Sequence, residues 1–169
     1  EEIPIELTFC RQLHTLHLDE NRFRQVVPNI CVLKSLQVLT MSSNKLSMIT
    51  CEIANMVGLV MIDFRFNNNL SKVVEMYLNE DIQKLMTYLR TIQDGFIYGS
   101  INLSRRGLFQ FPIEVLQAGE QITSLALSYN DIEEIPQTVS LLSMLTILDV
   151  SNNRVAALPD SIGLMTRLR

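Results

Sequence analysis

What the chain lacks narrows the reading before anything it contains. No apolar segment approaches the roughly 18 residues expected of a membrane span. Neither end carries a basic run, and 14 Lys and Arg against 18 Asp and Glu give a net charge of −4. A nucleic-acid partner and a membrane span are therefore not expected. Glycine-rich phosphate loops are absent. Only three cysteines occur, Cys10, Cys31 and Cys51. An odd count without paired spacing argues against a disulfide framework or a zinc cluster.

What is present is a period. Leu13, Leu36, Leu59, Tyr98, Ile122, Leu145 and Leu168 open similar stretches, and subtraction gives intervals of 23, 23, 39, 24, 23 and 23 residues. In the six stretches from Leu13 to Leu145 the fourth and sixth positions are apolar, and in all of these but the fourth the ninth is Asn, as in Leu16, Leu18 and Asn21, or Leu148, Val150 and Asn153. Apolar residues two apart have strand spacing, so both ends point inward and the residue between them points out. Self-similarity at this period signals stacked units that bury their apolar edges only against one another. A parallel sheet follows, with strands near Leu16 to Leu18, Leu39 to Met41, Ile62 to Phe64, Ile101 to Leu103, Leu125 to Leu127 and Leu148 to Val150.

The recurrent Asn suits a tight turn off a buried strand, because a carboxamide can both donate to and accept from backbone groups stranded there. The second half of each repeat returns through apolar residues at fixed offsets: Ile132, Ile135, Pro136, Val139 and Leu142, then Val155, Leu158, Pro159, Ile162 and Met165. Proline removes a donor and favours an irregular or short helical return. Cys10 occupies the offset of Leu142 and is expected to be a small buried hydrophobe.

These residues resemble the leucine-rich-repeat family, in particular the intracellular class with units LxxLxLxxNxLxxLPxxIxxLxx found in plant intracellular Ras-group, Scribble and Erbin-type proteins. LTILDVSNNRVAALPDSIGLMTR and ITSLALSYNDIEEIPQTVSLLSM match almost position for position. The resemblance implies an α/β leucine-rich-repeat solenoid over residues 1–169, with a curved parallel sheet on its concave side. It also implies a protein-binding role and a cytoplasmic setting, since the cysteine-rich caps of secreted members are missing. Asn69-Leu70-Ser71 and Asn102-Leu103-Ser104 read as glycosylation acceptors only in a secreted chain, and are discounted. Opening and closing within repeats, the chain reads as a segment of a longer array.

Departures from the pattern localise an irregularity. Val27 and Thr50 replace proline in the first two repeats, and Arg106 stands in the Asn position of the fourth. The 39-residue interval holds a non-repeating stretch in which Asn79 can cap a helix from about 80 to 93. Ile82, Leu85, Met86, Leu89 and Ile92 form its apolar face, and Gly95 is a plausible stop. Two readings of this insert stand: a cover packed on the array, or a second docking surface displaying Tyr77, Tyr88 and Arg90.

No catalytic, metal or cofactor constellation emerges. His14 and His17 are the only histidines. The outward positions next to His17 are Thr40 and then Asp63, about two strand spacings or 10 Å away. Asp63 and Asp149 share a column but stand too far apart for paired-carboxylate work.

Repeat register sorts the outward residues into columns: His17, Thr40, Asp63, Asn102, Ala126 and Asp149; then Asp19, Ser42, Arg65, Ser104, Ser128 and Ser151; then Glu20, Ser43, Phe66, Arg105, Tyr129 and Asn152. Aromatic and arginine side chains anchor protein interfaces more than other residues do. Phe66, Arg105 and Tyr129, with Arg65, Asp63 and His17 beside them, are the expected protein-binding residues, adjacent if the insert leaves the sheet intact. The resemblance implies a small GTPase, or an associated kinase or phosphatase, as partner. The alternative is a regulatory or substrate-recognition arm of an enzyme, such as a Roco-type GTPase, kinase or ubiquitin ligase, whose chemistry lies outside these residues.

Overall fold

A computed structural model describes residues 3–26 and 28–169; Val27 lies outside them. The chain divides into two compact units, Glu1–Arg90 and Thr91–Arg169. In the first, strands β1 (Thr15–His17), β3 (Val38–Thr40) and β5 (Met61–Asp63) form a parallel sheet, and β2 (Gln25–Val26) pairs with β4 (Met48–Ile49). In the second, β6 (Ser100–Asn102), β7 (Ser124–Ala126) and β8 (Ile147–Asp149) form another parallel sheet. Register follows the repeat: Leu16 pairs with Leu39 and Leu39 with Ile62, while Ile101 pairs with Leu125 and Leu125 with Leu148.

Parallel pairing requires a long crossover, and between paired strands each repeat supplies one through a short 3-10 helix. These run Ile5–Phe9, Pro28–Val32, Cys51–Asn55, Ile113–Ala118, Gln137–Leu141 and Asp160–Leu164. Pro112, Pro136 and Pro159 precede the last three at φ −74, −71 and −69°. There the fixed ring angle fits and the missing N–H costs nothing. Thr50 reaches the same backbone, φ −75° and ψ 140°, without a ring. Its hydroxyl instead donates to the Glu52 carboxylate.

Inward ends of the strands make the core. Leu39, Met41, Ile101, Leu103, Leu125 and Leu127 are fully buried, whereas Leu16, Leu18, Leu148 and Val150, on the outermost strands, are half-buried. Cys10 is exposed rather than buried, and Leu158 is exposed where its counterparts Ile49, Phe111 and Ile135 are buried. Both positions are inward by pattern, but a repeat is covered only by its neighbours, and no described rung stacks on that side of either residue.

Four of the Asn positions, Asn44, Asn67, Asn130 and Asn153, work as the spacing implies and reach one repeat back. Asn67 Oδ1 accepts from Leu46 N at 2.8 Å, and its Nδ2 donates to Met41 O and Phe64 O at 2.9 and 2.8 Å. Asn44, Asn130 and Asn153 repeat the arrangement. Asn21 bonds only to Leu18 O and Asp19 O of its own rung. Arg106 falls on the rung that opens the second sheet, where a carboxamide has no earlier rung of that sheet to serve.

Between β5 and β6 the structure has two helices, not the one expected over about 80–93: α1 (Lys72–Glu80) and α2 (Ile82–Tyr98). The cap is Asp81, whose Oδ1 accepts from Gln83 N at 2.9 Å, while Asn79 lies inside α1. Gly95 does not stop α2. A Cβ there would sit 2.1 Å from Ile101 Cγ1, so it is a point of close approach to β6. The stop is Gly99, at φ +72°, whose N–H donates to Gly95 O at 2.8 Å. Tyr98, expected to open the fourth repeat inward, is the last residue of α2 and stands exposed. Because β5 and β6 belong to different sheets, Phe66 is not laddered to Arg105.

Candidate functional site

The third outward column shares one unusual backbone. Glu20, Ser43, Phe66, Arg105, Tyr129 and Asn152 have φ of +56, +55, +61, +58, +58 and +52°, the left-handed region that costs a residue with a Cβ about 1–2 kcal/mol. At four of the six places the ladder continues past the strand end on this backbone. Glu20 N donates to Ser42 O, Ser43 N to Arg65 O, Arg105 N to Ser128 O and Tyr129 N to Ser151 O, at 2.9 to 3.0 Å. Asn152 alone is a residue type that favours this region, so little in the column's composition announces it.

In the second unit this backbone throws Arg105 and Tyr129 outward side by side. The Arg105 guanidinium carbon lies 4.0 Å from the centre of the Tyr129 ring, a cation–π contact. Arg105 has no ion pair among the described residues, so its N–H donors remain unspent. Beside the pair, Ser104 Oγ and Ser128 Oγ are 3.1 Å apart. Ser151 donates through both N and Oγ to Asp149 Oδ1, at 3.0 and 2.7 Å. Those hydrogen bonds hold the Asp149 carboxyl below its ordinary value.

In the first unit the outward face carries a network that spacing alone did not disclose. Thr40 Oγ1 donates to Asp19 Oδ2 at 2.5 Å, and His17 Nδ1 lies 2.8 Å from the same hydroxyl. A hydroxyl has one proton, so once it is given to Asp19 the Thr40 oxygen must accept from His17, which fixes Nδ1 as the protonated nitrogen. Ser42 donates to Asp19 Oδ1 from both N and Oγ at 2.7 Å. Burial pushes the Asp19 carboxyl up, but hydrogen bonds from Thr40 and Ser42 and the nearby His17 outweigh it, leaving the pKa lowered. Thr40 is buried beneath these partners despite its outward position.

Next to it, Arg65 grips Asp63 through Nε and Nη2 at 2.9 and 2.6 Å, which lowers the carboxyl's pKa. Phe66 is 73% exposed.

The six named residues thus fall into two groups: His17, Asp63, Arg65 and Phe66 in the first unit, Arg105 and Tyr129 in the second. The insert does not display Tyr77 or Tyr88. Tyr77 and Tyr88 are buried and stack at 4.9 Å between ring centres, and Arg90 donates to Ala54 O at 2.8 Å. Spacing could have found this, since Leu85, Tyr88, Leu89 and Ile92 fall at i, i+3, i+4 and i+7 of one helical stripe. Among the described residues no cluster of three or more His, Cys, Asp or Glu could hold a metal ion. No helix there is long and apolar enough to cross a membrane.

Parallel strands in repeat register, an Asn reaching back one rung, and 3-10 returns behind proline define the α/β leucine-rich-repeat solenoid fold. No protein-family model matches the chain. It is similar to pats1, a probable serine/threonine-protein kinase of Dictyostelium discoideum, at 28% identity over 139 residues, which is 80% of this chain and 4% of that protein. Solved structures similar to it include a leucine-rich-repeat protein of Leptospira interrogans, at 21% identity and a TM-score of 0.43, covering 99% of this chain and 50% of that one. Another is the ectodomain of the plant membrane receptor kinase GASSHO1/SCHENGEN3 of Arabidopsis thaliana, at 20% identity and a TM-score of 0.39, covering 99% and 19%. The chain therefore spans half or less of the length of these proteins.

Proposed function

We propose that this chain is a non-enzymatic, protein-binding module of an intracellular signalling or scaffold protein, working in the cytoplasm. The outward face of its strands meets the partner, through His17, Asp63, Arg65 and Phe66 in the first unit and Arg105 and Tyr129 in the second. One observation carries this reading: the Arg105 guanidinium sits over the Tyr129 ring with its donors unspent, on backbone held in a costly conformation. Strain held in place by surrounding structure clusters at functional sites, and an oriented arginine beside an exposed ring is the chemistry of interface anchors. A small GTPase or an associated kinase or phosphatase is the partner that resemblance to the Ras-group class suggests.

The test is affinity purification with the full-length protein, followed by calorimetry on the identified partner. Arg105→Ala, Tyr129→Ala and Phe66→Ala should each weaken binding by about 1–4 kcal/mol. Gln110→Ala and Asp160→Ala, on exposed return segments, should leave it unchanged. Sensitivity confined to the two controls would place the partner elsewhere.

A second reading is favoured by the similarity to pats1: the chain is the regulatory or substrate-recognition arm of an enzyme, a Roco-type GTPase, kinase or ubiquitin ligase. In that case the strand-face variants should change the turnover of a domain elsewhere in the full-length protein, which catalytic assays on that protein would read directly.

A further inference from the structure

We propose that one edge of the first unit, where each return segment turns into the next strand, docks an acidic amphipathic helix of a partner protein. Three consecutive rungs present there the segments 9–15, 32–38 and 55–61, which read FCRQLHT, VLKSLQV and NMVGLVM and contain no Asp or Glu. Side chains of the kind that fill a core stand in solvent along them: Phe9 is 76%, Val32 52%, Val57 84% and Val60 66% exposed. A single exposed valine is ordinary, whereas a contiguous apolar strip marks an interaction site.

The strip is contiguous. Phe9 and Val32 line, with Ile5, Arg11 and Lys34, one shallow cleft of about 510 Å³. Lys34 Nζ donates to Asn55 O at 3.2 Å, and Gly58 passes so close that a Cβ there would lie 3.1 Å from Lys34 O. Val57 of the third rung therefore borders Lys34.

Charge selects the occupant. Arg11 and Lys34 are exposed and make no ion pair among the described residues. The two cations sit among apolar side chains in a chain whose net charge is −4. A wholly apolar segment would leave them unmatched and a basic one would be repelled. A helix with a leucine stripe flanked by glutamates satisfies both features, its apolar face in the groove and its carboxylates over Arg11 and Lys34. Phe9, Arg11, Val32, Lys34 and Val57 all lie outside the strands, so neither proposal needs the other.

The test uses the whole chain and two synthetic helical peptides that share one leucine stripe, flanked by Glu in one and by Lys in the other, titrated by fluorescence anisotropy. The Glu peptide should bind at least ~10-fold more tightly than the Lys peptide. The double variant Arg11→Glu, Lys34→Glu should reverse that order, and Val57→Asp should weaken the Glu peptide ~10-fold, with circular dichroism unchanged. Phe66→Ala should have no effect, which separates this surface from the strand face. Equal binding of the two peptides, or an order that the charge reversal leaves intact, would overturn the proposal. So would binding to phosphatidylcholine–phosphatidylserine vesicles in preference to the peptide, or self-association of the chain that Val57→Asp abolishes.

Discussion

Asn130 holds two backbone N–H groups and two carbonyls on adjacent rungs, with Arg106 N and Leu108 N on its oxygen and Leu103 O and Leu127 O on its amide. Truncation to Ala leaves Leu108 N and Leu103 O buried without a partner, while Leu127 O keeps its bond from Asn153 Nδ2, and each unpaired group costs about 1–3 kcal/mol. Asn130→Ala should therefore cost at least about 2 kcal/mol in urea unfolding. Asn21→Ala, which loses only bonds to exposed carbonyls of its own rung, should cost well under half as much. The left-handed column makes the opposite prediction. Phe66 is mostly exposed at φ +61°, so Phe66→Gly should raise stability by about 1 kcal/mol by removing the Cβ penalty. A loss of stability on that substitution would mean that the ring is anchored in the fold. The Asn positions were legible in the sequence because the repeat displays them. The strained column was not, because left-handed backbone is ordinarily announced by Gly or Asn, and Glu, Ser, Phe, Arg and Tyr occupy five of its places.

Among the elements, α2 is the informative one. Its buried stripe of Leu85, Met86, Tyr88, Leu89 and Ile92 carries the packing, and Leu85→Ala or Leu89→Ala should each cost about 2–5 kcal/mol. Gly95 tests a different force. In an open helix Gly→Ala gains about 1 kcal/mol, but here the new methyl would meet Ile101 Cγ1. Gly95→Ala should instead destabilise by about 1–3 kcal/mol through overpacking. Combining it with Ile101→Ala, which clears the space, should cost less than the sum of the two single changes, and additivity in thermal unfolding would refute the clash. Helical spacing revealed the apolar face of this insert. It did not reveal that Asp81 splits the segment in two, because Val73, Val74 and Tyr77 carry no strong helix preference. Burial of α1 residues comes from packing, which a propensity reading does not see.

For the molecule as a whole, three aspartates link stability to pH. Asp19, Asp63 and Asp149 all have pKa values held below the ordinary 3.8. A carboxylate lowered by folding contributes stability that is complete above its unfolded value and is lost as pH falls through the folded one. Denaturant midpoints should therefore be flat between about pH 5 and 7 and fall below about pH 4. Asp19→Asn should make that fall shallower, and an unchanged slope would remove its network from the account. The repeat made the sheet register readable, but not the exposure of Cys10 and Leu158, since burial in a stack depends on which neighbour is present.

The reach of the Asn side chains also has a direction in time. Leu46 N and Met41 O of one rung are completed by Asn67 of the next, as Phe23 N and Leu18 O are by Asn44. On a ribosome the chain emerges with the earlier rung first, so a rung stays polar-incomplete until its successor has been made. With a 23-residue repeat and synthesis at about 5–20 residues per second, the folded stack trails the growing chain by about one to five seconds. Through that interval the newest strand offers its edge and its unbonded turn to whatever is nearby, and chaperone contact during translation should fall on this moving final rung.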